Sequence, residues 1–172
     1  STRFYRVVAQ PVVAPNRGRL ISSKVKGQFT REFQQAAITG WGLGGFVTAK
    51  YGMIARVFTY ETVDPYGLAI TNSAELLTPV GANGPLPLLS AQHGTMAARS
   101  DAPSQPNSGD VWGVVFACVG YAVVVPDYTG LGSSPGYQTY LHAPSEAACV
   151  IDALRAGKAL CASNNVVLNG QL

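Results

Sequence analysis

The stretch that decides the fold is GYAVVVPDYTGLG, residues 120–132. Its first half, 121–125, is a continuous run of small, aromatic and β-branched residues, which is typical of a central strand buried on both faces of a sheet. Its second half, 126–132, contains a proline, an aspartate and two glycines, which favour a tight turn. The stretch therefore predicts an inner strand that ends abruptly in a loop.

Strands and helices alternate on both sides of this stretch. Strands are predicted at 53–63, 68–77, 86–91 and 166–168, and helices at 110–119 and 143–160. The first two strands flank the turn at 64–67 and predict a hairpin. This order predicts an α/β fold in which an antiparallel hairpin is followed by parallel strands with crossover helices.

The first fifty residues show a weaker pattern. We predict an extended and helical lead-in over 1–50, with a short helix at 30–39 that begins after Thr30, and one α/β unit over 51–172. Gly40, Gly42 and Gly45 have the spacing of a dinucleotide-binding loop. A helix-like stretch precedes them instead of a strand, so a glycine-rich linker is favoured and no cofactor is expected.

Composition excludes several classes of protein. Of the 172 residues, 47% are hydrophobic and 12% charged, which indicates a folded chain. The twelve Lys and Arg residues are scattered, so we expect no nucleic-acid partner. No apolar run approaches the roughly 18 residues of a membrane-spanning helix. Few Lys and Glu with many Gly, Ser and Pro favour a secreted or periplasmic protein.

The three cysteines are Cys118, Cys149 and Cys161, and they have no zinc-binding spacing. Either Cys149 pairs with Cys161 in a disulfide or all three are buried thiols, and the sequence leaves both open. His93, Asp127 and His142 also lack a recognisable metal-ligand spacing, so no metal is expected.

Four parts of the chain resemble secreted lipases and esterases of the α/β-hydrolase superfamily, including the fungal secretory lipase group. They are the hairpin YETVDPYGLAITNSAELLTP at 60–79, LPLLSAQHGT at 86–95, GYAVVVPDYTGLGSSPGY at 120–137, and DALRAGKAL at 152–160 followed by NNVVLNGQ. The resemblance implies an α/β-hydrolase fold, of which this chain forms the N-terminal half. It also implies a carboxylic ester hydrolase that acts on an ester or acyl substrate through an acyl-enzyme.

Such enzymes carry their nucleophile in a Gly-x-Ser-x-Gly turn, and the catalytic acid and histidine follow along the chain. Gly170 and Gln171 fit the first two positions of the turn, but Leu172 occupies the third. We expect the nucleophile at or just after Leu172, and the acid and histidine in a second polypeptide segment that completes the sheet. The alternative is a non-catalytic binding protein of the same fold that lacks the nucleophile.

The resemblance implies two sources of oxyanion-hole donors: the amides of Gly94 and Thr95, and Asp127. The plainer interpretation is that Asp127 caps the following turn and Gly94 permits a bend. We expect His93 to brace the loop that contains Gly94. His93, Tyr128 and Leu131 are predicted to line the substrate pocket, whereas His142 is expected at the surface or at a pocket wall.

Overall fold

A computed structural model describes residues 16–171 of the chain. In this part the chain forms five β strands and three α helices. In chain order they are β1 (Leu20–Phe29), α1 (Arg31–Gly40), β2 (Gly52–Val63), β3 (Ala69–Val80), β4 (Leu88–Ser90), α2 (Val111–Val119), β5 (Ala122–Pro126) and α3 (Ala143–Ser163). The predicted order of elements from the hairpin onward is confirmed.

The strands form one mixed sheet in the order β1-β2-β3-β5-β4. The first three strands and β5 pair antiparallel in succession, whereas β4 and β5 are parallel. Residues 166–171 continue the sheet beyond β4, because Leu86 and Leu168 form a parallel bridge. The Leu86 amide donates to the carbonyl oxygen of Val167 at 2.8 Å, and the Leu88 amide donates to that of Gln171 at 3.2 Å.

The two crossover helices lie on opposite faces of the sheet. Helix α2 links β4 to β5, and α3 then returns past β4 to residues 166–171, so the two connections run in opposite directions. Since such crossovers share one handedness, opposite directions place their helices on opposite faces. Alternation in β5 suits this arrangement: Val123 and Val125 pack in the core beside α2, whereas Val124 packs beside α3.

The helices begin where the sequence supplies side-chain acceptors. The Thr30 hydroxyl accepts from the Phe33 amide at 3.2 Å, and the Asp110 carboxylate accepts from the Gly113 amide at 2.7 Å. Both predicted starts are therefore confirmed. Helix α3 begins after His142, whose Nδ1 accepts from the Ser145 amide at 3.3 Å, a capping role that the sequence analysis missed.

Strand β1 corrects the description of the first fifty residues as a lead-in. It pairs with β2 from Leu20 opposite Tyr60 to Phe29 opposite Met53, so the sheet begins inside that region. Most β1 side chains are exposed. An edge strand of this kind shows little hydrophobic alternation, and its sequence signal is weak. The predicted helix after Thr30 is present as α1, and residues 1–15 lie outside the described part.

Three further features of the sequence can be compared with the structure. The glycine-rich segment follows α1 and precedes β2, so it lacks the strand-then-helix context of a dinucleotide site. Cys118, Cys149 and Cys161 are buried free thiols, which excludes the disulfide alternative. No helix within residues 16–171 is long and apolar enough to cross a membrane.

Candidate active site

Three parallel chain segments have their carboxyl ends on the same side of the sheet, which is called the site edge of the sheet below. The carboxyl ends of β4, β5 and residues 166–171 point the same way because these segments are parallel. The connections after β4 and β5 lead to helices on opposite faces of the sheet. Adjacent strands whose connections diverge in this way leave a crevice at their carboxyl ends, where ligands of open α/β sheets bind.

The loop after β4 is held by residues that follow β5. His93 is 7% exposed, and its Nδ1 lies 2.7 Å from the carbonyl oxygen of Gly94. The His93 ring packs against the Tyr128 ring at a centroid distance of 4.5 Å. The Tyr128 hydroxyl in turn donates to Oε1 of Gln92 at 2.8 Å. The structure thus places His93 and Tyr128 together as supports of the loop.

The amides of Gly94 and Thr95 are available at this edge. Neither donates a hydrogen bond to any group in residues 16–171. A Cβ atom built on Gly94 would meet no atom within 4 Å, so open space adjoins this peptide. The Thr95 hydroxyl lies 3.3 Å from that of Tyr140. Amides without an acceptor among the described residues are free to bind a developing negative charge.

Asp127 is predicted as an oxyanion donor, and the structure shows its amide and carboxylate engaged in other hydrogen bonds. Its amide already donates to the carbonyl oxygen of Ser73 at 3.1 Å. Its buried carboxylate accepts from the Ser73 hydroxyl at 2.5 Å and from the Ser104 amide at 2.9 Å. These donors lie outside the following turn, so within the described residues the carboxylate does not cap that turn. Burial raises the pKa of Asp127, while the bonds from Ser104 and Ser73 lower it.

Comparison with solved structures relates this geometry to known proteins. A mutant form of LipA, a rice cell wall degrading esterase from Xanthomonas oryzae, is 34% identical with a TM-score of 0.80, and the match covers 91% of this chain and 41% of LipA. A protein of Legionella pneumophila inferred to be a hydrolase is 28% identical with a TM-score of 0.79, over 88% of this chain and 42% of that one.

Candida antarctica lipase A shares the fold at 17% identity and a TM-score of 0.51, over 90% of this chain and 34% of the lipase. No protein-family model and no curated relative matches the chain. The sheet order, the opposed crossover helices and the match to LipA decide the classification. The chain belongs to the α/β-hydrolase superfamily. It spans about two fifths of the length of LipA.

The Asp-Tyr-Thr-Gly-Leu-Gly turn after β5 is shaped by packing. A Cβ atom on Gly132 would lie 2.1 Å from Oδ2 of Asp127, and one on Gly130 would lie 2.2 Å from the Gln138 amide nitrogen. Both glycines also have positive φ. The motif therefore encloses the Asp127 carboxylate and requires the absence of side chains at both positions.

Leu131 does not line a pocket, contrary to the prediction. It is 2% exposed, because the turn folds its side chain inward. The sequence signal was an apolar residue in a loop near the site, and such a residue can equally join the core. Among the described residues, no group of three or more His, Cys, Asp or Glu side chains is arranged to hold a metal ion.

The segment that leads to the predicted nucleophile turn pairs with Leu86 and Leu88, at the start of β4. Asn169 makes two hydrogen bonds with Gln171 in this segment. Its Oδ1 accepts from the Gln171 amide at 2.9 Å, and its Nδ2 donates to Oε1 of Gln171 at 2.8 Å. Gly170 has a φ of 84°. Leu172, the expected position of the nucleophile, lies outside the described residues.

Sequence reasoning missed Ser73, Ser104 and Tyr140. Ser73 and Ser104 bind Asp127 from positions 54 and 23 residues away along the chain. Tyr140 reaches Thr95 across 45 residues. No local motif marks such partners, since they meet only when the strands are paired.

Proposed function

We propose that this chain is part of a serine ester hydrolase that acts through an acyl-enzyme, with the amides of Gly94 and Thr95 as oxyanion-hole donors. One observation carries the proposal. The amides of Gly94 and Thr95, which have no acceptor within residues 16–171, follow the carboxyl end of β4, and the parallel segment that leads through Gly170 and Gln171 to the predicted nucleophile turn pairs with Leu86 and Leu88 and so runs toward the same end of the sheet. The match to LipA, an esterase, supports the class of reaction.

The chemistry assigns a limited task to the described residues. A serine hydroxyl attacks the ester carbonyl, a histidine takes the proton, and the carbonyl oxygen becomes an anion. Amides at about 2.7–3.1 Å from that oxygen stabilise it in the transition state. Collapse expels the alcohol and leaves an acyl-enzyme, which water hydrolyses. The Gly94 and Thr95 peptides would hold the anion in both steps, while His93 keeps the loop in place.

The remaining catalytic groups are proposed to belong to a further segment that completes the sheet. Residues 166–171 pair with the β4 region on one side, and Val167 is 62% exposed. An edge with an exposed apolar side chain favours pairing with another strand. The greater length of LipA agrees with additional sheet elements beyond those described. We propose that this segment supplies the nucleophile, the acid and the histidine.

Labelling with a fluorophosphonate probe tests the proposal. The complete encoded protein is treated with the probe, digested, and mapped by mass spectrometry, and hydrolysis of 4-nitrophenyl acetate is measured in parallel. We expect one labelled serine close after Gln171 and loss of hydrolysis on labelling, with heat-denatured protein as the control. Absence of both label and hydrolysis would reject the enzyme and favour the non-catalytic binding protein.

A further inference from the structure

A tyrosine-rich cavity of about 570 Å³ lies at the same sheet edge as the candidate site. It lies between the β2–β3 turn and the loop that joins β5 to α3. The aromatic and ring-bearing residues of its lining are Pro65, Tyr66, Pro135, Tyr137, Tyr140 and His142. Its volume falls within the range of about 300–1,000 Å³ that small-molecule sites show.

The tyrosines of this cavity are unusually exposed. Tyr137 is 95% exposed, Tyr66 is 83% exposed and Tyr140 is 59% exposed. Single exposed aromatic residues are common on proteins, but several that line one cavity mark a binding surface. The three rings together therefore form a candidate binding surface.

The cavity adjoins the proposed oxyanion loop through Tyr140. Tyr140 lines the cavity and its hydroxyl lies 3.3 Å from that of Thr95. Thr129, also in the lining, directly follows Tyr128, which packs on His93. A molecule whose carbonyl lies at the Gly94 and Thr95 amides would therefore extend into the tyrosine-rich cavity.

The charges of the lining favour a neutral occupant. Asp64 is the single charged residue in the lining, and no Lys or Arg of the described chain contributes to it. Oδ1 of Asp64 already accepts from the amides of Tyr66 and Leu68, each at 2.8 Å. An anionic group would therefore lack a cationic partner, and a cation would meet a carboxylate whose charge is partly compensated.

We propose that this cavity binds a neutral aryl group of the ester substrate, an assignment that rests on the proposed ester-hydrolase function. Aromatic side chains favour another ring in offset or edge-to-face contact. A rigid aryl group also loses less conformational freedom on binding than a flexible alkyl chain of similar size. The cavity thereby selects aryl-bearing esters over linear ones.

Binding is tested first with an amide that the enzyme does not readily cleave. N-benzylacetamide, N-hexylacetamide and tetramethylammonium are titrated into protein with isotope-labelled tyrosine, and NMR shifts give each Kd. We expect the benzyl amide to bind about three- to tenfold more tightly than the hexyl amide. Tyr137→Ala should remove that preference, whereas Phe46→Ala, which changes an 88% exposed ring outside the cavity, should not.

Equal binding of the two amides, or an unchanged preference in Tyr137→Ala, would overturn the assignment. Tighter binding of tetramethylammonium would also overturn it and indicate an aromatic cage for a cation. Thermal unfolding of each variant confirms that it is folded, which the exposure of Tyr137 leads us to expect.

Kinetics of the complete encoded protein separate this proposal from the proposed function. Benzyl acetate and hexyl acetate are compared, and Tyr137→Ala should lower kcat/KM for the benzyl ester alone, by about three- to tenfold. Hydrolysis of both esters without an aryl preference rejects the cavity assignment but keeps the hydrolase. Aryl binding without hydrolysis of either ester rejects the hydrolase but keeps the cavity as an aryl site.

Discussion

Nδ1 of His93 lies 2.7 Å from the carbonyl oxygen of Gly94, while Nε2 of the same ring lies 3.4 Å from the carbonyl oxygen of Asp127. Because a carbonyl oxygen only accepts, Nδ1 must carry a proton in the shorter bond. The Nδ1 bond holds the loop after β4, and the packing of the same ring against Tyr128 connects it to the turn after β5. The orientation of the Gly94 peptide, and with it the direction of the following amide, depends on this contact.

His93→Phe should impair catalysis without impairing substrate binding. The substitution keeps a ring beside Tyr128 but removes the hydrogen bond from Nδ1 to the Gly94 carbonyl oxygen. We expect kcat for 4-nitrophenyl acetate to fall about tenfold with little change in KM, because the loop acts on the transition state. Stability should fall by about 1 kcal/mol. Tyr128→Phe, which removes only a hydroxyl, is the control, and a raised KM with unchanged kcat would contradict the bracing role.

Thr95→Pro tests the proposed oxyanion donor directly. Proline has no amide hydrogen, so this substitution deletes one donor, whereas Thr95→Ala deletes only the hydroxyl that contacts Tyr140. We expect Thr95→Pro to lower kcat about 100-fold or more and Thr95→Ala to have a much smaller effect. Gly94→Ala should fold normally, because its Cβ faces open space. Equal activity of the proline and alanine variants would exclude the Thr95 amide as a donor.

The fold could be predicted largely from the run at 121–125 and the hairpin, because both have a strong local pattern. Strand β1 could not, since its polar edge sequence resembles an extended loop. The role of Asp127 also escaped prediction. Its position after a buried strand suggested a donor, but its partner Ser73 lies 54 residues earlier and becomes adjacent only through the pairing of β3 with β5. The local sequence therefore predicts that the site lies at the carboxyl ends of the strands, but it does not predict the hydrogen bonds within the site.

Ser73→Ala removes only one buried hydroxyl group, but it should destabilise the protein strongly. The hydroxyl donates to the Asp127 carboxylate at 2.5 Å and accepts from the Ser133 amide at 2.9 Å. Its loss leaves a buried carboxylate with one donor fewer, so we expect a decrease of about 2–3 kcal/mol in the free energy of unfolding. Urea denaturation measures it. Ser22→Ala, which removes an exposed hydroxyl contact with Thr59, should change stability by less than about 0.5 kcal/mol.

Glu75 should give the fold a distinctive pH dependence. Burial raises its pKa to about 7, although the Lys26 ammonium at 2.8 Å opposes the shift. The folded state therefore binds more protons than the unfolded state, whose Glu75 pKa is about 4.5. The stability that protonated Glu75 contributes is fully present below the unfolded-state pKa of about 4.5. It is lost as pH rises through the folded-state pKa of about 7.

Relative to Glu75→Gln, which cannot ionise, the wild-type protein should lose up to about 3 kcal/mol of stability over this pH range. Urea denaturation at several pH values measures the difference. Glu32→Gln, at an exposed ion pair with Arg31, provides the control and should show no such decline. A difference between wild type and Glu75→Gln that stays constant with pH would contradict the raised pKa.

Gly132→Ala should be among the most damaging single substitutions in the chain. The added Cβ would lie 2.1 Å from Oδ2 of Asp127 and 2.5 Å from the Ser73 hydroxyl oxygen, at a residue whose φ is 54°. Relieving such an overlap breaks the buried bond between Ser73 and Asp127, so we expect a loss of more than about 3 kcal/mol or failure to fold.

Gly136→Ala separates this packing effect from backbone strain. Gly136 also has a positive φ, of 76°, but a Cβ there would meet no atom within 4 Å. Its substitution should cost only the conformational strain of about 1–2 kcal/mol. If thermal unfolding shows equal losses for the two variants, backbone conformation alone accounts for both glycines. A much larger loss for Gly132→Ala establishes that the turn is built around the buried Asp127 carboxylate.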